Sequence, residues 1–209
     1  MIQIRKKKCD FYTCAAWLIS VIFHPVFIPF YVLLVFLSIS HYFFYDINKI
    51  TRLIFLSTVV VPLLIQFLLY RLKILHSFFL VRLKARIGFT LLMAVIYYLL
   101  YRILDPIAVL EYFALFFRGI ALSLLLAVLF NLSKKRISLH GLAMGGALYF
   151  LLHWSYTHRT NILDIISISI GITSLVLAAR LKLKAHTLDE IAIGLFIGIA
   201  GQALSFWLS

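Results

Sequence analysis

Residues 165–208 read IISISIGITSLVLAARLKLKAHTLDEIAIGLFIGIAGQALSFWL. Two apolar runs, 165–179 and 191–208, flank a short polar stretch that begins at Arg180 and ends at Glu190. The run 191–208 approaches the ~20 apolar residues that a helix needs to cross a bilayer, and the shorter run 165–179 is expected to be tilted or to extend into its flanks. The runs are continuous and do not alternate with polar residues, which argues against strands. This stretch therefore predicts two membrane helices joined by a polar turn at a membrane surface.

The composition of the whole chain agrees with that prediction. Hydrophobic residues make up 64% of the 209 residues and charged residues 13%, which is about half the charge of a soluble domain. The mean hydropathy is +1.08. We predict an all-α, polytopic membrane helix bundle that forms one integral-membrane domain over residues 1–209.

Six or seven transmembrane helices are expected. The first apolar segment contains Pro25 and Pro29, and two prolines so close together should kink it or make it re-entrant. In the re-entrant case the number of spans falls from seven to six. The predicted segments are roughly 15–40, 53–70, 87–101, 112–130, 141–157, 165–179 and 191–208.

The basic residues indicate membrane contacts and an orientation. The net charge is +13, which in a soluble protein would suggest a nucleic-acid partner. Here the charge lies in short runs between apolar segments, so we expect anionic lipid and no nucleic acid. Most of these runs fall on the side of the N-terminus. With seven spans, the positive-inside rule places the basic segment 1–14 and that side in the cytoplasm; with six spans, the orientation stays open.

Small residues mark expected helix contacts. Gly141 and Gly145 are four residues apart in the fifth segment, and Gly194 and Gly198 repeat that spacing in the last segment. Such pairs allow two membrane helices to approach closely.

Three polar clusters should emerge at the same end of the bundle, because two segments separate each cluster from the next. Arg82, Lys84 and Arg86 precede the third segment, and Ser138 and His140 open the fifth. The cluster between the sixth and seventh segments is that of Arg180, His186, Asp189 and Glu190.

The last of these clusters indicates phosphate chemistry. His186 and Glu190 are four residues apart, which on a helix places them on one face, so that the carboxylate can hold the imidazole. A guanidinium such as Arg180 is a natural clamp for phosphate. Thr187 and Glu190 also match a capping box, and this structural explanation of the carboxylate stays open. With His140, two histidines would divide the work of nucleophile and proton donor.

Other polar residues in apolar segments favour structural roles. Arg118 lies inside the fourth segment, where it would snorkel or pair with Glu111. His153 and His158 lack a carboxylate or cysteine at ligand spacing, so we expect no metal site there.

At the polar clusters the chain resembles the membrane branch of the type 2 phosphatidic acid phosphatase (PAP2) superfamily. Two motifs of that superfamily carry the resemblance, Ser-Arg-x5-His-x3-Asp and Pro-Ser-Gly-His. The first of the two is matched by Arg180-x5-His186-x3-Glu190, and the second by Ile-Ser-Leu-His at residues 137–140.

A further motif of the superfamily, Lys-x6-Arg-Pro, is reduced here to Arg86. Ile87 stands in place of the proline and Phe79 in place of the lysine. Lys84 would replace the missing lysine. The chain is most similar to a divergent bacterial branch, which implies the bacterial cytoplasmic (inner) membrane as its location.

The resemblance implies a mechanism without metal or cofactor, because arginines supply the positive charge. His186 would attack phosphorus and form a phosphohistidine, with Glu190 or Asp189 orienting it. His140 would protonate the leaving oxygen and then help water to hydrolyse the intermediate. The residues expected to bind phosphate are Arg180, Ser138, Arg86 and Lys84.

The resemblance thus implies a core at about residues 53–208 and dephosphorylation of a lipid phosphate or diphosphate. Phosphatidate, phosphatidylglycerol phosphate and polyprenyl diphosphate are all expected substrates. Two alternatives stay open. One is a catalytically weakened relative that binds phospholipid headgroups or partner proteins, and the other is a small transporter.

Overall fold

The computed structural model describes residues 10–40, 47–72, 83–133 and 136–209, with the side chains of residues 83–85 left outside that description. Within these ranges the regular structure is entirely helical, with no strand. The all-α prediction is therefore confirmed for the part of the chain that the structure describes.

The helices follow the predicted apolar segments. A π-helical turn, Leu56–Val60, joins α3 to α4, just before Pro62, whose missing N–H interrupts regular helix hydrogen bonding. The helices are α1 (Phe11–Ile22), α2 (Ile28–Ile39), α3 (Ile47–Phe55), α4 (Val61–Arg71), α5 (Leu83–Leu104), α6 (Glu111–Leu132), α7 (Leu139–His158), α8 (Leu163–Lys182) and α9 (Leu188–Trp207).

Five helical stretches in the described ranges are long and apolar enough to cross a membrane. They make the chain an integral membrane protein, as predicted. Helix α7 is not among them, and much of its surface is covered by other helices. The five stretches are Ile47–Arg71, Arg86–Leu104, Glu111–Leu132, Leu163–Lys182 and Leu188–Trp207.

The first apolar segment is broken where its prolines lie. Helix α1 ends at Ile22 and α2 begins at Ile28, with Pro25 in the turn between them and Pro29 in the first turn of α2. Helix α1 packs against α8, and α2 packs against α7. The two short helices, here called the N-terminal helix pair, therefore lie against the helices that carry the polar clusters.

Helices α7 and α9 meet along the predicted glycines. A Cβ at Gly145 would overlap the Leu195 carbonyl oxygen, and a Cβ at Gly198 would overlap the Leu142 carbonyl oxygen. Only glycine leaves room for backbones this close. The contact sets the first turn of α7 beside the first turn of α9, where the Ser138 amide donates to the Glu190 carbonyl at 3.0 Å.

The described residues of the polar clusters lie at one end of the bundle, here called the site end, and Arg82 of the first cluster lies outside the described residues. Helices α7 and α9 begin there, side by side. Helix α5 begins there as well, since the Arg86 guanidinium donates to the carbonyl of Ile137, two residues before the start of α7. Helix α8 ends there, because a short turn joins it to α9.

An aromatic core fills the opposite end. Phe36 of α2 stacks on Phe113 of α6 with ring centroids 4.8 Å apart, and it meets the Trp154 ring of α7 edge-on at 5.1 Å. All three side chains are almost fully buried. This packing anchors the helices at one end while the site end remains polar.

Candidate functional site

A histidine–carboxylate pair lies at the start of α9. The Nδ1 atom of His186 is 2.7 Å from Oε2 of Glu190, and their side chains are only 12% and 23% exposed. Thr187 caps the helix, accepting a hydrogen bond from the Glu190 amide, and the Glu190 carboxylate accepts one from the Thr187 amide. The Glu190 carboxylate thus takes part in the capping box and also pairs with His186.

This pairing determines which nitrogen of His186 can react. A carboxylate accepts a hydrogen bond, so the proton of the neutral ring is on Nδ1 and the lone pair is on Nε2. Burial lowers the pKa of His186; Glu190 opposes that shift, while Arg180 and Arg86 add to it. His186 is therefore neutral at neutral pH, with Nε2 in the form that a nucleophile needs.

Two arginines give the site its positive charge. Arg180 lies in the last turn of α8 and Arg86 at the start of α5. The Nε atom of each is buried and has no hydrogen-bond partner among the described residues. Unsatisfied buried donors are costly, and an anion with several acceptor oxygens is the ligand that would satisfy them.

A second histidine enters from α7. His140 is the second residue of that helix and is only 7% exposed. Its Nε2 atom is 3.1 Å from the carbonyl oxygen of Ser20. Because a carbonyl can only accept, Nε2 carries the proton and Nδ1 is the nitrogen left to exchange a proton with a ligand.

These side chains surround one cavity of about 510 Å³. That volume is in the range of small-molecule sites. Arg86, His140, Arg180 and His186 all line it. Farther in, its wall is mostly apolar and comes mainly from α5 and α6, with Met93, Tyr97, Phe116, Ile120 and Leu124. The polar side chains of Thr90, Ser123 and Gln202 also line it.

Other predicted site residues lie elsewhere. Ser138 is fully buried as the N-cap of α7, accepts a hydrogen bond from the Gly141 amide at 3.3 Å and is not part of the cavity wall. Asp189 is exposed on the first turn of α9. Glu190 stands behind His186 and not in the wall itself. The side chain of Lys84 lies outside the described residues.

The N-terminal helix pair adds residues to the site that the sequence reasoning did not assign to it. Trp17, Ser20 and His24 all line the cavity. His24 was visible in the sequence only as the neighbour of Pro25 in a kinked segment. A histidine beside a proline-induced break in an apolar run was the one available signal.

The remaining polar groups serve the bundle. Arg118 donates to the Ser205 hydroxyl at 3.1 Å and to the Tyr101 hydroxyl at 3.4 Å, so its partners lie on α9 and α5 and not at Glu111. His153 pairs with the Tyr112 hydroxyl at the end opposite the site. The described residues contain no group of three histidines, cysteines or carboxylates that could hold a metal ion.

Comparison with known proteins gives no relative of this chain: no family model, no curated protein and no solved structure matches it. The functional conclusion therefore depends on the residues and the geometry described above.

Proposed function

We propose that the chain is a membrane phosphohydrolase that removes phosphate from a lipid phosphate or diphosphate through a phosphohistidine. The observation that supports this most strongly is the meeting of two histidines and two arginines, from three helices and the turn between α8 and α9, around one cavity. The motif resemblance at Arg180, His186 and Glu190 supports it further. Location in a bacterial cytoplasmic membrane belongs to the same proposal.

The first step transfers the phosphoryl group to the protein. The Nε2 lone pair of His186 attacks phosphorus while Arg86 and Arg180 hold the phosphoryl oxygens. The bond between phosphorus and the lipid oxygen breaks. Burial lowers the pKa of His140 to about 3, so the ring is neutral until a bound phosphate monoanion passes its proton to Nδ1. The leaving oxygen takes that proton from Nδ1 of His140, and Glu190 stabilises the positive charge on His186.

The second step releases phosphate. Water attacks the phosphohistidine and gives its proton to Nδ1 of His140, which is neutral after the first step. The bond between phosphorus and Nε2 breaks, the departing phosphate takes the proton back from Nδ1 of His140, and inorganic phosphate leaves as the monoanion. Both histidines then return to the states in which they began.

The shape of the cavity favours a lipid substrate. Its charged residues lie at the site end, and its apolar wall continues into the bundle between α5 and α6. A phosphate headgroup would bind to the arginines with the adjoining hydrocarbon against this wall. Phosphatidate, phosphatidylglycerol phosphate and polyprenyl diphosphate all satisfy these requirements.

The test is phosphate release by the full-length protein in detergent micelles, with phosphatidate and farnesyl diphosphate as alternative substrates. We expect release that orthovanadate inhibits. His186→Ala should reduce release by roughly 10³-fold or more, since loss of a nucleophile removes most of the rate enhancement. His153→Ala, at the opposite end, should match the parent protein. Undiminished release by His186→Ala would reject the proposed nucleophile.

A second candidate is a headgroup-binding protein without turnover. Two observations favour it: Ser138 is occupied as a helix cap, and Asp189 faces away from the cavity. It explains the arginines but gives no role to the pairing of His186 with Glu190. Phosphate binding without phosphate release from any of these lipids would favour this candidate.

A further inference from the structure

His24 is held in one tautomer by the turn between α1 and α2. The backbone amide of Val26 donates to Nδ1 of His24 at 3.4 Å. An amide can only donate, so Nδ1 is unprotonated and the ring proton is on Nε2. The turn that Pro25 introduces therefore produces a neutral imidazole with a single N–H donor.

The position of that ring ties it to the anion site. The centroids of the His24 and His140 rings are 5.6 Å apart, with the ring planes at 83°. His24 lines the same cavity as Arg180 and is close enough for the guanidinium to act on its charge. A second positive charge beside Arg180 is disfavoured, which is a further reason for the ring to stay neutral.

A second polar group from the same helix pair has no partner. Ser20 is 5% exposed, and its Oγ atom is buried without a hydrogen bond to any described residue. Ser20 also lines the cavity. A hydroxyl buried in this way needs a ligand or a water to satisfy it. The Ser20 hydroxyl thus lacks a partner in the cavity that the buried, unpartnered Nε atoms of Arg86 and Arg180 also adjoin.

We propose that the Nε2–H group of His24 and the hydroxyl of Ser20 donate to oxygens of the bound phosphate, so that the N-terminal helix pair completes the anion site. The inference builds on the proposed function for the identity of the anion. It assigns no bond-making to His24, which binds and positions the phosphate while His186 attacks it.

The alternative is that His24 only packs against His140. Three substitutions separate the two explanations. His24→Phe keeps the ring and its contact while removing the N–H donor, and His24→Ala removes both. His24→Gln removes the ring but restores an N–H donor at about the same reach as Nε2.

The experiment measures the affinity of the full-length protein in detergent for inorganic phosphate and orthovanadate by isothermal titration. Lipid phosphate release is measured on the same samples. We expect His24→Phe and His24→Ala to bind the anions about 10- to 100-fold more weakly, as for loss of a hydrogen bond to a charged group. His24→Gln should retain most of the affinity, and His153→Ala should bind as the parent does.

Affinity unchanged in His24→Phe would overturn the assignment, as would equal losses in His24→Phe and His24→Gln. Absence of anion binding by the parent protein would overturn it as well. If His24→Phe binds weakly but the parent releases no phosphate from any lipid, the anion site stands and the proposed hydrolysis fails. If the parent hydrolyses lipid phosphate and His24→Phe binds phosphate normally, hydrolysis stands and the role of His24 fails.

Discussion

Replacing Glu190 by glutamine removes one charge from the site and leaves its shape. The carboxylate accepts a hydrogen bond from Nδ1 of His186 at 2.7 Å, with both side chains less than a quarter exposed. Hydrogen bonds to charged groups contribute about 1.5–3 kcal/mol and neutral ones about 1 kcal/mol. The glutamine oxygen can still accept from Nδ1, so the loss is about 1–2 kcal/mol, or roughly 5- to 30-fold in kcat/KM.

The same substitution should move the pH profile in a defined direction. Glu190 raises the pKa of His186 against the lowering caused by burial. Since neutral His186 is the nucleophile, activity rises as pH increases through that pKa. Glutamine removes the upward contribution, so the acid limb of kcat/KM should shift to lower pH.

The assay is phosphate release in detergent micelles across the acid range, with Asp189→Asn as the matched control. Asp189 lies next to Glu190 and carries the same charge, but it is exposed and outside the cavity wall. Glutamine is also a capping-box residue at this position, so the helix start should persist. The reasoning is refuted if the acid limb of Glu190→Gln does not move, moves upward, or moves equally in Asp189→Asn.

Two further predictions concern the bundle. Gly145→Ala should lower the free energy of unfolding by about 1–3 kcal/mol, because its Cβ would overlap the Leu195 carbonyl oxygen. Gly171→Ala, with nothing within 4 Å of the added Cβ, should raise it by about 0.5–1 kcal/mol; equal thermal shifts in the two variants would contradict the packing described. Arg118→Leu should lower the free energy of unfolding by about 1–3 kcal/mol through loss of the hydrogen bonds from Arg118 to Ser205, while phosphate release stays unchanged. A loss of phosphate release at unchanged stability would place Arg118 in the site instead.

Local sequence patterns predicted the elements of this fold well. Continuous apolar runs predicted the helices, and the glycine spacing marked α7 and α9 as helices with close contacts, without indicating that each is the other's partner. The Thr-x-x-Glu pattern at Thr187 predicted the capping box, and Pro25 marked the break in the first segment. Each of these features depends on residues within a few positions of one another, so the sequence alone expresses it.

The site was harder to predict because it depends on distant segments. Counting segments indicates which end of the bundle a residue lies at, but not which way its side chain points. Ser138 lies at the site end as predicted, yet its hydroxyl caps α7 and does not face the cavity. His24 reaches the cavity because the N-terminal helix pair packs on α7 and α8. The hydrophobic periodicity of the sequence does not predict the contact of the N-terminal helix pair with α7 and α8.

The most direct test of the proposed chemistry is to trap the phosphorylated protein. A lipid phosphate labelled with ³²P is mixed with the full-length protein, the reaction is quenched within milliseconds, and the labelled residue is identified. The account predicts a base-stable, acid-labile phosphohistidine at His186, absent from His186→Ala and accumulating in His140→Ala, where its hydrolysis is slow. Phosphate release with no label on the protein, or label on a different residue, would contradict it.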